Sequence, residues 1–256
     1  IYVRTNQAGQ ALVCLVVSGE VLPHEEELVR RIRTACPSTV GVVVNVNKRD
    51  TNVILGEAYR TLWGEDALTD VLCGLTFRLS APAFYQVNRA QAKRLYGKAV
   101  EFAGLTGRET VLDLYCGAGT ITLAMARHAG KVIGAEIVPE AVSNARENAR
   151  MNGIQNAAFF CGDAGAVAKR LAAERLHPDV IVVDPPRKGL GEAVVPVIAS
   201  MAAERVVYVS CDPGTLARDV RGFSALGYQV VRVAAVDLFP RTRHVETIVL
   251  LQRGNS

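Results

Sequence analysis

The chain has 256 residues, half of them hydrophobic and 21% charged, with a formal net charge of +4. That length holds one large α/β domain, or a medium one with a smaller partner, and the composition excludes a disordered chain. No uncharged run is long and apolar enough for a membrane span, and the mild positive balance is compatible with a polyanionic partner without requiring one.

The chain opens on Ile rather than Met and shows no signal-peptide pattern, so its first domain is expected to lack its own beginning. Residues 1–80 read as a small α+β domain. Its short β-like runs "ALVCLVV", "GVVVNVN" and "NVILGEAYRTLW" surround one helical stretch, "PHEEELVRRIRTAC". Glutamates in the first turn and arginines in the last suit the helix dipole. An antiparallel sheet is expected here. Six scattered cysteines without a C-x-x-C pair fit neither a disulfide scaffold nor a zinc ribbon, and a reducing, cytoplasmic compartment is expected. Basic clusters stand at Arg30, Arg31 and Arg33, at Lys48 and Arg49, at Arg187 and Lys188, and at Arg241 and Arg243. Each taken singly reads as solvated surface.

Residues 81–256 form the second expected domain, and strand and helix alternate strictly through most of it. "TVLDLY", "KVIGAE", "AAFFCG", "DVIVVD", "RVVYVS", "QVVRVAA" and "VETIVLL" are near-continuous apolar strands, and residues 139–151 are one of the helices between them. This pattern predicts an α/β, Rossmann-like fold: a mainly parallel seven-stranded sheet with helices on both faces. The short "PRTRH" connection predicts an antiparallel pair at one edge.

In such a sheet the ligand sits beyond the carboxyl ends of the strands. "VLDLYCGAGTITLAMA" places Gly117 and Gly119 there, after Asp113 and between the first strand and the next helix. A tight turn alone explains a G-x-G. Glu136, nineteen residues beyond Gly117 at the end of the second strand, adds an acid able to accept both ribose hydroxyls of a nucleoside. Thr122 stands where a dinucleotide fingerprint has its third glycine. With Asp163 closing the third strand, the set resembles the S-adenosylmethionine pocket of class I methyltransferases. In that resemblance Asp163 faces the adenine, and it is equally suited to cap the following helix.

Three more strand ends carry reactive groups. Asp184 precedes two prolines and Arg187 in "VIVVDPPRKGL", a rigid stop suited to an acid and an arginine that orient a substrate. Cys211 ends the fifth strand before Asp212 and Pro213, where a helix end is expected to favour its thiolate. Glu246 opens the last strand after "RTRHV"; the H-x-E it completes lacks the P-C-x-x-C of zinc deaminases, and a salt-bridged edge glutamate is the plain alternative.

"APAFYQVN", "LDLYCGAGT", "DPPRKG", "SCDPGTLARD" and "HVE", in this order, resemble the RNA 5-methyluridine methyltransferases, especially the bacterial 23S ribosomal RNA (uracil-5-)-methyltransferases. The resemblance runs from about residue 56 to the end, and residues before it look like the rest of that family's central domain. It implies that Cys211 is the nucleophile and Glu246 the base. It also implies that Gln86, Tyr115, Gly117, Gly119, Thr120, Glu136, Asp163 and Asp184 line a site for S-adenosyl-L-methionine, which leaves as S-adenosyl-L-homocysteine. Family members often carry asparagine where Thr120 stands. Arg187 and Phe84 are expected to orient the substrate uracil, although aromatics beside a proline, as Phe84 and Tyr85 are, more often belong to a core. Many family members bear an N-terminal RNA-binding barrel and an iron–sulfur cluster; neither is visible here, and no metal is expected.

A thiolate adding to C6 of uracil would make C5 a carbon nucleophile, and a carboxylate must later remove the C5 proton. The expected substrate and partner is RNA, ribosomal RNA first and transfer RNA second, of an enzyme expected to be a monomer with no membrane association. The RNA's backbone phosphates are expected on the first domain, at its basic helix end. Rival readings are an RNA 5-methylcytidine enzyme, a non-catalytic RNA-binding module, and a nicotinamide enzyme using "GAGT" as its phosphate loop.

Overall fold

The computed structural model describes residues 1–50, 53–191 and 193–254. It divides into two compact units, Ile1–Phe84 and Tyr85–Ser256.

The first unit holds β1 (Tyr2–Thr5), β2 (Ala11–Val17), α1 (Glu25–Ala35), β3 (Thr39–Val46) and β4 (Ala58–Gly64), with a four-stranded sheet in the order β1-β2-β3-β4. The expected antiparallel sheet is corrected at its centre, where β2 and β3 run parallel. The reason is connectivity: α1 lies between them, and a strand that returns through a helix re-enters the sheet in the same direction. Both faces of this pair are buried, Val13, Leu15, Val42 and Val44 packing with Val29 of α1 and Leu12, Cys14 and Val43 packing with Leu68. Burial on two faces is why "ALVCLVV" has no alternation.

β5 (Ala67–Leu72) and β6 (Leu75–Ser80) form a hairpin that the sequence reading left out. Its two-residue turn is Cys73 and Gly74, at φ 54° and 72°. Two left-handed residues make the primed turn that matches strand twist, but asparagine or aspartate usually precedes the glycine, so a cysteine conceals the signal.

In the second unit α2 (Arg89–Ala103) precedes the alternating series β7 (Thr110–Leu114), α3 (Thr120–Ala126), β8 (Lys131–Glu136), α4 (Pro139–Met151), β9 (Ala157–Cys161), α5 (Ala164–Ala173), β10 (Val180–Val183), α6 (Val194–Ser200), β11 (Arg205–Ser210), α7 (Pro213–Ala225), β12 (Tyr228–Val236) and β13 (Glu246–Arg253). The sheet order is β12-β13-β11-β10-β7-β8-β9. Five strands are parallel, and β13 is antiparallel to both neighbours, as the short connection predicts. α5, α6 and α7 pack on one face through Val167, Leu171, Ile198 and Phe223, and β10 is buried along its whole length. The strand order reverses between β7 and β10, and in open α/β sheets a ligand binds at the carboxyl ends of the strands flanking such a reversal.

Candidate active site

The glycine loop is held open by its backbone. Tyr115, Gly117 and Gly119 all have positive φ (74°, 54° and 86°), and a Cβ added at Gly117 would meet nothing within 4 Å. Glu136 braces the loop from the next strand: Oε2 accepts the Gly117 N–H at 3.1 Å and Oε1 the Val138 N–H at 2.9 Å. Beneath it Asp113 is fully buried and accepts from the Thr122 hydroxyl at 2.5 Å, while its Oδ1 has no partner among the described residues. Burial pushes the Asp113 carboxyl up to about 7, with Glu136 adding to the rise and the Thr122 hydrogen bond opposing it. Thr122, in the place of a third glycine, thus satisfies a buried acid.

The other expected cofactor residues divide. Thr120 opens α3 with its hydroxyl 3.5 Å from the Tyr96 phenol. Asp163 is exposed and caps α5, accepting the Ala166 N–H at 3.0 Å, so the capping alternative holds. Tyr115 is close enough to Asp163 for that charge to raise its phenol pKa, behind the larger effect of burial. Gln86 is buried, two residues before Asn88, whose amide donates to the Leu238 carbonyl at 3.1 Å. Phe84 ends the first unit with its ring 74% exposed, which excludes the core reading for it.

Three strand ends bring Cys211, Asp184 and Glu246 together. Ser210 pairs with Thr247 across β11 and β13, which sets Cys211 beside Glu246, and Asp184 follows the last residue of the adjacent β10. An antiparallel β13 is what allows its first residue to reach the end where parallel β10 and β11 finish. Glu246 is buried, and burial raises its carboxyl pKa against the pull of Arg187. Asp184 has no hydrogen-bond partner among the described residues; burial, then Glu246 and Asp113, push it up to about 8.

The expectation of a favoured Cys211 thiolate is corrected. Burial, then Glu246 and Asp184, raise the thiol, and only Arg187 and a backbone hydrogen bond oppose them. The helix end is already occupied: Asp212 caps α7, accepting from Gly214 N–H at 2.9 Å and Thr215 N–H at 3.0 Å. Ser210 fixes the same corner, its hydroxyl donating to the Asp212 carbonyl at 2.9 Å and accepting the Asp212 N–H at 3.1 Å.

Arg218 and Asp219 escaped the sequence reading, although they stand in "SCDPGTLARD". Buried Asp219 accepts from the Leu190 N–H and the Tyr208 hydroxyl, each at 2.7 Å, and from Arg218 Nε at 2.9 Å. Arg218 Nη2 donates to the Lys188 and Leu190 carbonyls, both at 2.9 Å. Thr215 Oγ1 donates to the Arg187 carbonyl at 3.1 Å. The Asp184-to-Leu190 loop is thereby bolted to the helix that follows Cys211. Gly189 sits in the clamp at φ +71°, where a Cβ would lie 2.6 Å from Asp219 Oδ2. A neighbouring Arg and Asp on a helix look like a surface pair, and only the fold shows the acid to be buried.

Fold and strand-end site together define the class: this is the Rossmann-like fold of the S-adenosylmethionine-dependent methyltransferases. The sequence model of the tRNA (uracil-5-)-methyltransferase family matches residues 73–254, and the chain belongs to that family. Among its relatives, an uncharacterized RNA methyltransferase of Halalkalibacterium halodurans is 49% identical over 98% of this chain and 55% of its own length, and one of Clostridium acetobutylicum is 46% identical over 98% and 54%. The chain thus spans about half the length of these curated relatives. The crystal structure of the Pyrococcus abyssi tRNA (uracil-54, C5)-methyltransferase in complex with S-adenosyl-L-homocysteine is similar at TM-score 0.78 and 27% identity, covering 97% of this chain and 58% of that one. A precorrin-6y C5,15-methyltransferase of Geobacter metallireducens shares the fold alone, at TM-score 0.53 and 15% identity over 63% of this chain and 89% of its own. The fold by itself therefore does not name a substrate.

Proposed function

We propose that this chain is the catalytic part of an enzyme that methylates C5 of a uridine in RNA, using S-adenosylmethionine as donor. The observation that carries the reading is the register that puts Cys211 beside Glu246, with Asp184 on the next strand.

The loop fits the donor. Space is open above Gly117, and Glu136 accepts its two backbone hydrogen bonds with a carboxylate of roughly four acceptor sites, which leaves capacity for a ligand's hydroxyls. When bound, the donor supplies an electrophilic methyl group. Tyr115, Gly117, Gly119, Thr120 and Glu136 would hold it from the loop side, and Gln86, Asp163 and Asp184 from around it.

Cys211, once deprotonated, adds its sulfur to C6 of uracil, and the C5–C6 π electrons move toward C5 and O4. That makes C5 nucleophilic. After methylation Glu246 takes the C5 proton, the C5–C6 double bond re-forms, and the C6–sulfur bond breaks to return Cys211. The raised thiol pKa works against the thiolate, so this step needs the Cys211 proton to leave before addition. Asp184, mostly protonated at neutral pH, is able to donate a hydrogen bond to a base carbonyl.

The substrate we propose is 23S ribosomal RNA, on the strength of the motif resemblance. Transfer RNA is the second reading, favoured by the similarity to the Pyrococcus abyssi enzyme. The test mixes the protein and S-adenosylmethionine with 5-fluorouridine-containing fragments of ribosomal or transfer RNA. Fluorine cannot leave C5 as a proton, so a methylated, denaturation-resistant protein–RNA adduct is expected with one of them and not with Cys211→Ala. Methylation of the corresponding unsubstituted RNA without any Cys211-dependent adduct would overturn the mechanism.

A further inference from the structure

Four basic clusters stand out in the sequence, and the fold separates them into two kinds. In the first unit the charges are partnered. Arg30 and Arg31 pair with Glu27, Lys48 with Glu20 at 2.7 Å and Arg49 with Glu57, while Arg33 lies over the Trp63 ring at 4.0 Å. In the second unit Lys188, Arg241 and Arg243 are exposed and have no carboxylate partner among the described residues.

These three stand on two loops that meet. The loop after β10 carries Arg187 and Lys188; the loop before β13 carries Arg241, Arg243 and His244. Arg187 Nη2 lies 3.5 Å from both ring nitrogens of His244 and joins them. Arg187 is close enough to Cys211, Asp212 and Glu246 to lower the pKa of each. Neither loop is slack. Arg218 holds the Lys188 carbonyl, Phe239 N–H donates to Asp237 at 3.1 Å, Thr242 Oγ1 donates to the Phe239 carbonyl at 2.8 Å, and His244 N–H donates back to Thr242 Oγ1 at 3.2 Å.

The charge arrangement is a cationic rim around a floor whose acid is Glu246, Asp184 holding its proton there. A phosphodiester is repelled by the floor and attracted by the rim, whereas an uncharged base is free to enter. We infer that Lys188, Arg241 and Arg243 form a rail for the RNA backbone, holding the phosphates beside the target uridine. The basic helix end of the first unit is not that rail. The inference rests on the RNA methyltransferase reading and adds the place where the strand lies.

Fluorescence anisotropy of a uridine-containing RNA hairpin, at several salt concentrations, tests it on the full chain. Each lost phosphate contact to single-stranded RNA reduces the salt slope by about 0.7, so R241Q/R243Q should reduce it by about 1.4 and, with affinities converging at about 1 M salt, weaken binding by about 25-fold at about 0.1 M. K188Q should do the same in smaller measure. R30Q/R31Q should leave slope and affinity unchanged. Unchanged binding in R241Q/R243Q, a loss in R30Q/R31Q instead, or equal competition by polyglutamate, which marks a general anion surface, would each overturn the rail. Iodoacetamide reaction at Cys211 and S-adenosylhomocysteine binding should match the parent in every variant. A fluorouridine adduct that persists in a variant with unaltered RNA binding sinks the rail alone; absence of RNA binding in the parent sinks the rail and the function together.

Discussion

Cys211, the nucleophile we propose, sits in an unfavourable resting field. Its thiol is raised by burial and by Glu246 and Asp184, so alkylation by iodoacetamide at pH 8 should be slower than for a free cysteine, and its rise with pH should come later than a free cysteine's. Glu246→Gln removes the nearer repelling charge, and the apparent thiol pKa should fall; an unchanged pH–rate profile would contradict the placement of these groups. Asp184 carries a stability consequence. The native state holds its proton up to about pH 8. An unfolded aspartic acid releases its proton near pH ~3.9. Between these values the native state binds more protons, so this contribution is present below about pH 4 and is lost as pH rises to 8. Asp184→Asn should therefore stabilise the protein at pH 8 more than at pH 5, and each ~1 kcal/mol gained would raise the melting temperature by about 2–4 °C. Equal shifts at both pH values would mean the acid is ordinary.

At the scale of elements, the loop from Asp184 to Leu190 and the helix α7 act as one piece through Asp219. Asp219→Ala leaves the Tyr208 hydroxyl and the Leu190 N–H buried without acceptors. Each orphaned donor costs about 1–3 kcal/mol, so a total loss of several kcal/mol is expected in urea unfolding. Gly189→Ala attacks the same clamp from the other side, by steric overlap and a left-handed φ, and should destabilise in the same direction. If Asp219→Ala unfolded at the parent's urea midpoint, the clamp would not be a structural element at all. By contrast, the exposed Arg150–Glu147 pair on α4 should contribute little, as exposed ion pairs do.

For the whole molecule, each unit has a core of its own: Leu12, Val43 and Leu68 with Val29 and Val44 in the first, and Leu112, Ile181, Tyr208 and Phe223 in the second. A chain beginning at Tyr85 should thus fold alone, with a single cooperative unfolding transition by circular dichroism and retained S-adenosylhomocysteine binding. A fragment with neither would show that the second unit depends on the first. The described residues include no helix long and apolar enough to cross a membrane.

The seven strands of the second unit and the helix over Pro139–Met151 were legible in the sequence, because strands buried on both faces read as unbroken apolar runs and amphipathic helices separate them. Strand ends were legible too, which is why Gly117, Glu136, Asp184, Cys211 and Glu246 could be singled out by position. Local sequence does not encode which strands become neighbours. The parallel β2–β3 pair, the hairpin turned on Cys73 and Gly74, and the burial of Asp219 were decided only in three dimensions. So was the direction in which the Cys211 thiol is pushed. A helix end beside it suggested a thiolate, but the field at a sulfur is summed over every charge within a few ångströms, and Asp184 and Glu246 arrive there from distant parts of the chain.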